Sequence, residues 1–160
     1  MKKLVFAFLV IGTLTGCLKS GENEVTCNYE ACSFVAPASE QQMVTDYLTA
    51  NNLTATKHCS GLYYIIDEPG TGVTPTVCNR IAFSYVGRLT NGTVFDESST
   101  PIVYPLSQLI TGFKNGIPLI KTGGKIRLFV PPSLGYGSAQ SGSIPPNSVL
   151  IFEVTLVGAQ

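Results

Sequence analysis

The sequence predicts an α+β domain, and three observations carry that expectation. Short apolar runs alternate with period two and are bounded by Gly, Pro or Asn-Gly, which is the strand signature. Helical spacing occurs in only two places, one after Ser39 and one ahead of Pro118. Gly (16) and Pro (10) are abundant in a chain of 160 residues, as in turn-dense β-proteins. With 44% apolar and 12% charged residues the chain is expected to fold around one core rather than remain disordered.

Taken in order, residues 1–17 read MKKLVFAFLVIGTLTGC. Lys2 and Lys3 form a basic start, and the apolar run from Leu4 to Ile11 is too short to span a bilayer, so a secretory leader over 1–16 is expected. Leu14-Thr15-Gly16-Cys17 resembles the lipobox of bacterial lipoproteins, which implies cleavage before Cys17, lipidation of its thiol and attachment to a membrane. An ordinary leader with a chance cysteine is the alternative. Leu18 follows with no Asp, which in enteric-type bacteria implies the outer rather than the inner membrane. The expected localisation is therefore the bacterial envelope, facing the periplasm or the exterior.

Formal net charge is zero; the 10 basic groups less Lys2 and Lys3 leave 8 against 10 acidic ones. No basic stripe exists, so nucleic acid is not an expected partner.

With Cys17 acylated, Cys27, Cys32, Cys59 and Cys78 remain, an even number in an exported chain, and four cysteines allow three connectivities. The expected pairing is a local Cys27–Cys32 clasp and a Cys59–Cys78 link. Zinc is the competing reading, with His58 beside Cys59, but no C-x₂-C unit repeats, so no metal is expected. His58, the single histidine, is expected on an exposed loop.

Residues 17–37 read as a polar tether and 38–58 as a flanking helical segment. Ser39 can cap this first helix, Gln42 stands at the capping-box position, and Met43, Val44, Tyr47 and Leu48 share helical spacing up to Asn51-Asn52. The domain proper, 59–160, opens with a strand at Gly61–Asp67. The Gly-Thr-Gly at 70–72 is a turn, lacking the rest of a dinucleotide fingerprint. A second strand, Arg80–Val86, sets Ile81, Phe83 and Tyr85 on one face. The Asn91-Gly92 hairpin signal leads to a return strand, Thr93–Asp96. Between Pro101 and Pro118 one short helix is expected, capped by Ser107, stopped by Gly116, with Leu109, Ile110, Phe113 and Ile117 on one face.

Two further strands, Lys125–Val130 and Val149–Val157, bracket a Gly/Pro/Ser-rich loop that carries Tyr136 between Gly135 and Gly137, and Ile144 before Pro145-Pro146. Such a loop reads as one wall of an apolar, polar-tipped pocket. No phosphate loop, catalytic triad or paired acid/base carboxylates accompany it.

Gly123-Gly124-Lys125, Val130-Pro131-Pro132, Tyr136-Gly137, Ile144-Pro145-Pro146 and Phe152, together with Phe83–Gly87 and Phe95-Asp96, resemble the FKBP-type peptidyl-prolyl cis-trans isomerases. The resemblance implies a strongly curved antiparallel sheet around one short helix, no cofactor, and proline-containing polypeptides as substrates. It implies that Tyr85, Phe95, Phe113 and Phe152 line a proline slot with Asp96 at a polar edge. Tyr136 and the Ile110 N–H would donate to substrate carbonyls, Leu109 would share the rim with Ile110, and Ile144 would close the slot. Without the family pattern, each aromatic reads as core packing, the usual place of a strand aromatic.

The chemistry suits such residues. An X-Pro amide rotates across a barrier of about 18–20 kcal/mol because it is resonance-stabilised, and uncatalysed exchange takes roughly tens to hundreds of seconds. Resonance separates charge, so an apolar site weakens it, and catalysis is tighter binding of the twisted amide. The chain departs from the family pattern in having no tryptophan: Phe113 stands where an indole floor is usual, Ile102 and Gln108 replace an aromatic residue and a Glu, and Ser143 replaces an aliphatic residue. Reduced activity and weakened binding of macrolides (tacrolimus, rapamycin) are therefore expected. A peptide clamp with negligible turnover is the alternative function, and a structural envelope lipoprotein a third.

Overall fold

The last two strands show how the pattern of the chain becomes a two-sided sheet. The computed structural model describes residues 27–160; the leader, Cys17 and the start of the tether lie outside them. In β6 (Leu150–Ala159) the side chains of Leu150, Phe152, Val154 and Leu156 enter the main core, while Ile151 between them packs on the opposite face. In β5 (Lys125–Val130) Ile126, Leu128 and Val130 enter the main core and Phe129 points the other way. Successive Cβ atoms of a strand point to opposite faces, so apolar residues at both parities mean that both faces are covered.

The remaining strands are β1 (Thr56–Lys57), β2 (Tyr63–Glu68), β3 (Arg80–Leu89) and β4 (Val94–Pro105). All six join one antiparallel sheet in the order β1-β2-β5-β6-β3-β4. One face wraps a short helix, α2 (Thr111–Gly116), as the fold class requires. The other carries α1 (Ala38–Ala50), whose buried Val44 and Leu48 pack with Phe129, Val149 and Ile151. Burial of such aliphatic side chains is worth about 1.5–3 kcal/mol each, and the C-terminal end of α1 is closed by the Asn51 amide donating to Tyr47 O at 2.8 Å.

Several expectations are corrected at element ends. The residue ahead of α1 is Pro37, not Ser39, and no side chain caps it; the Gln42 amide instead donates to Asp46 Oδ1 (2.7 Å). Asn51 ends the helix as expected. Met43 is exposed, so only part of the proposed apolar face is buried. The return strand is longer than its motif, running on through Pro101 to Pro105. Pro101 is tolerated because β4 is an edge strand and the ladder is irregular there, with Phe83 opposite Ile102 and Tyr85 opposite Ser98.

The extended β4 displaces the second helix. Ser107 lies inside a 3₁₀ turn, Leu106–Gln108, and Leu109 and Ile110 are extended, so α2 starts only at Thr111. A Cβ on Gly112 would meet Val130 Cγ1 at 2.7 Å, and one on Gly116 would meet Leu128 Cδ2 at 2.5 Å. Glycine at both positions is what lets this helix lie directly on β5.

The disulfides also differ from expectation. Cys27 pairs with Cys78 and Cys32 with Cys59, across Cα separations of 5.8 and 5.7 Å. Both bonds tie residues 27–32 to loops of the sheet domain. In the same segment Ala36 is buried in the main core and donates its N–H to Ser60 O (2.9 Å).

Candidate functional site

An aromatic slot forms where α2 crosses the concave face of the sheet. β3 contributes Phe83 and Tyr85 from one parity, β6 contributes Phe152, and α2 contributes Phe113. The Phe113 and Phe152 rings meet edge-on with centroids 4.8 Å apart, and Phe113 lies 5.7 Å from Phe83 and 6.4 Å from Tyr85. Edge-to-face contacts of this kind add about 0.5–1.5 kcal/mol beyond area burial and fix ring orientation. Phe95 stands behind Phe152, edge-on at 5.5 Å. Gly87 makes that stack possible, since a Cβ there would meet Phe95 Cζ at 2.6 Å.

The slot is a cavity of about 360 Å³, lined also by Asp96, Ile102, Tyr104, Gln108, Leu109, Ile110 and Tyr136. Seven of the nine residues proposed from sequence border it, and two do not. Phe95 buttresses Phe152 from outside the cavity. Ile144 is 5% exposed and belongs to the main core, where it anchors the loop rather than closing the slot. Phe83 and Tyr104 were not singled out as site residues. Both were findable by period two, as the same-face neighbours of Tyr85 and Ile102.

Polar groups at the slot are few. The Tyr85 hydroxyl donates to Asp96 Oδ2 at 2.5 Å. Burial, then that hydrogen bond, push the Tyr85 phenol well above its ordinary range. Tyr136 is 42% exposed at the mouth, and burial of its hydroxyl end raises its pKa, with the Asp96 charge adding to the shift. Among the described residues neither the Tyr136 hydroxyl nor the Ile110 N–H makes a protein hydrogen bond. Two donors therefore face an apolar slot with no acceptor of their own, while the one carboxylate is already engaged. Such a site can bind a carbonyl-bearing apolar ring; it has no group placed to attack it.

A second depression, on the outer face between β2, β5, β6 and β3, is lined by Asp67, Lys125, Arg127 and Glu153. Three of its charges are paired locally: Arg127 binds Asp67 through two nitrogens and Lys125 reaches Glu68 at 2.7 Å. The ligand atoms of Cys32, His58 and Cys59 lie within 4.8 Å of one another. The two sulfurs are bonded to each other, so neither can serve as a thiolate ligand. His58 is half-buried rather than exposed, its Nδ1 2.9 Å from Ser60 Oγ, and burial lowers its pKa.

Comparison with known proteins agrees with this geometry. The sequence model of one family, described as FKBP-type peptidyl-prolyl cis-trans isomerase, matches residues 72–157. The chain is 38% identical over 127 residues to the FKBP-type peptidyl-prolyl cis-trans isomerase FkpA of Aeromonas hydrophila, covering 75% of this chain and 47% of that protein. It is 47% identical over 105 residues to FkpA of Buchnera aphidicola, covering 63% of this chain and 42% of that protein. The chain thus spans less than half the length of these curated relatives. Among solved structures, FkpA from Escherichia coli superposes with a TM-score of 0.70 at 34% identity, covering 77% of this chain and 60% of that one. A peptidyl-prolyl cis-trans isomerase from Pseudomonas syringae superposes with a TM-score of 0.68 at 29% identity, covering 78% and 97%.

Proposed function

The chain belongs to the FKBP-type peptidyl-prolyl cis-trans isomerase family, and from that premise we propose that it isomerises X-Pro bonds in exported polypeptides. The observation that carries this reading is the slot of Tyr85, Phe113 and Phe152, buttressed by Phe95 and tipped by two donors without acceptors.

The proline ring would enter against Phe113 and Phe152, and the slot would strip water from the amide. Because the planar amide carries more separated charge than the twisted one, desolvation raises the ground state more than the transition state. The Tyr136 hydroxyl and the Ile110 N–H would hold substrate carbonyls on either side of the bond, keeping the chain in place while the amide turns. No proton changes hands, so a Tyr136 whose pKa is raised stays in its donor form at neutral pH. Asp96, tied to Tyr85, would act by orienting that phenol and would exchange no proton with the substrate.

The proposed setting is the bacterial envelope, with residues 1–16 as leader, Cys17 as the lipid anchor and 17–37 as a tether, its part from Cys27 onward fastened to the domain by the two disulfides, ahead of the helical segment 38–58 and the isomerase domain 59–160. No helix among the described residues is long and apolar enough to cross a membrane. A lipidated Cys17 would hold the chain through its acyl chains, at about 0.8 kcal/mol per buried CH₂. Macrolide binding would be weak, because Phe113 offers a smaller floor than an indole and no N–H.

The test is proline-peptide isomerisation by the soluble chain starting at Leu18, beside Tyr136→Phe and Asp96→Ala. Turnover that falls in both variants supports the enzyme and this slot. A flat rate from folded parent protein overturns the reading. A second reading, a peptide clamp of the same fold, is favoured by the Phe113 floor alone; proline-peptide binding without turnover would select it.

A further inference from the structure

The floor of the slot sits on a helix of six residues that no side chain caps. Two of those residues, Gly112 and Gly116, face β5 and offer no side chain to grip it. Apolar packing of this kind leaves sliding and rotation weakly specified, whereas a buried directional hydrogen bond has one geometry. One directional, part-buried bond reaches α2 from far away in the chain. Asn115 is 2% exposed, and its Oδ1 accepts from the Tyr29 hydroxyl at 2.7 Å, 86 positions upstream. Its Nδ2 is buried without a partner among the described residues. Lys114, the preceding residue, holds its ammonium 5.7 Å from the centroid of the same Tyr29 ring, within cation–π range. Tyr29 thus holds two consecutive residues of the helix whose previous residue is Phe113.

Tyr29 is itself anchored. It lies between Cys27 and Cys32, each bonded to the sheet domain through Cys78 and Cys59. Its hydroxyl is therefore presented from a fixed frame, and burial of the phenol raises its pKa, consistent with a closed contact.

We propose that Tyr29 is a positioning residue for the isomerase slot: through Asn115 it sets the depth and rotation of α2 and so the placement of the Phe113 ring. This rests on the isomerase reading for its catalytic consequence, but not for its geometric one. Apolar residues at 29 and 115 would pack as well; what the polar pair adds is one defined arrangement.

The experiment uses the oxidised protein labelled with 4-fluorophenylalanine, comparing parent, Tyr29→Phe and Tyr29→Phe/Asn115→Leu by ¹⁹F NMR and by proline-peptide kinetics. The Phe113 resonance is expected to shift and broaden in both variants, while Phe129, on the opposite face of the sheet, stays in place. kcat/KM is expected to fall about three- to tenfold in both, because a small misplacement of a binding wall is costly in rate. The double variant, which no longer buries a half-satisfied amide, is expected to regain thermal stability without regaining kcat/KM. An unmoved Phe113 resonance in Tyr29→Phe overturns the proposal, and so does recovery of stability and rate together in the double variant, which would make the pair merely structural. A parent protein with no turnover would sink the isomerase reading instead; the Phe113 resonance still decides the positioning role.

Discussion

The Tyr85 hydroxyl and the Asp96 carboxylate are joined by a 2.5 Å hydrogen bond that crosses the β3–β4 ladder at the rim of the slot. The two residues are not opposite in register: Tyr85 faces Ser98 and Asp96 faces Gly87. The bond is therefore diagonal. Tyr85→Phe and Asp96→Ala should be non-additive, since each alone removes the same bond. A double-mutant cycle on kcat/KM should return a coupling of about 1 kcal/mol; additivity would show that the pair does not act as a unit.

Tyr136→Phe should lower kcat/KM by about tenfold and leave thermal stability unchanged, because its hydroxyl has no protein partner to lose. The raised pKa values of Tyr85 and Tyr136 give the sign of the pH response. Both phenols stay protonated beyond their ordinary value of 10.0, so turnover should remain level through mildly alkaline pH. The stability they contribute is complete below that value and is lost only as pH rises through their folded pKa values. A spectrophotometric phenolate titration checks this.

Phe113→Trp tests the floor. The cavity of about 360 Å³ lies open above the ring, so a larger indole should extend into it and change stability by less than about 1.5 kcal/mol. Turnover and macrolide affinity should both rise. A variant no better than the parent in either would show that Phe113 is not what limits this slot.

Non-reducing peptide mapping should recover Cys27 with Cys78 and Cys32 with Cys59, and no Cys27–Cys32 product. The bonds close loops of 51 and 27 residues, so replacing either pair by serine should cost about 2–4 kcal/mol in chemical denaturation.

His58 should make stability fall on acidification. Its pKa is lowered from 6.5 by burial, so the unfolded chain takes up a proton before the folded one does. The loss begins as pH falls through about 6.5 and is complete below the folded pKa. A His58→Gln variant should show a flatter Tm profile between about pH 7 and 5.5.

Five of the six strands, the fold class and most of the slot are legible in the order of the residues, while β1 and the second half of β4 are not. Side-chain alternation is local, so the runs of β5 and β6 and the face shared by Phe83 and Tyr85 could be read residue by residue. Family-ordered motifs then supplied Phe95, Asp96, Phe113 and Tyr136, which lie at or directly behind the slot.

Whatever depends on partners far off in the chain is not legible there. Pro101 opens the segment expected to hold a helix, yet it lies within β4, because β4 is an edge where a missing N–H costs little. Ser107 reads as a cap in the sequence, but it sits inside the 3₁₀ turn Leu106–Gln108 and α2 starts only at Thr111. Ile144 carried the motif of a slot residue yet is buried in the core, because a motif records position in the chain and not which way a loop turns. The cysteine pairing and the Tyr29–Asn115 bond were invisible for the same reason. Each joins segments 27 to 86 positions apart that meet only once the sheet has folded, and local propensity carries no information about such meetings.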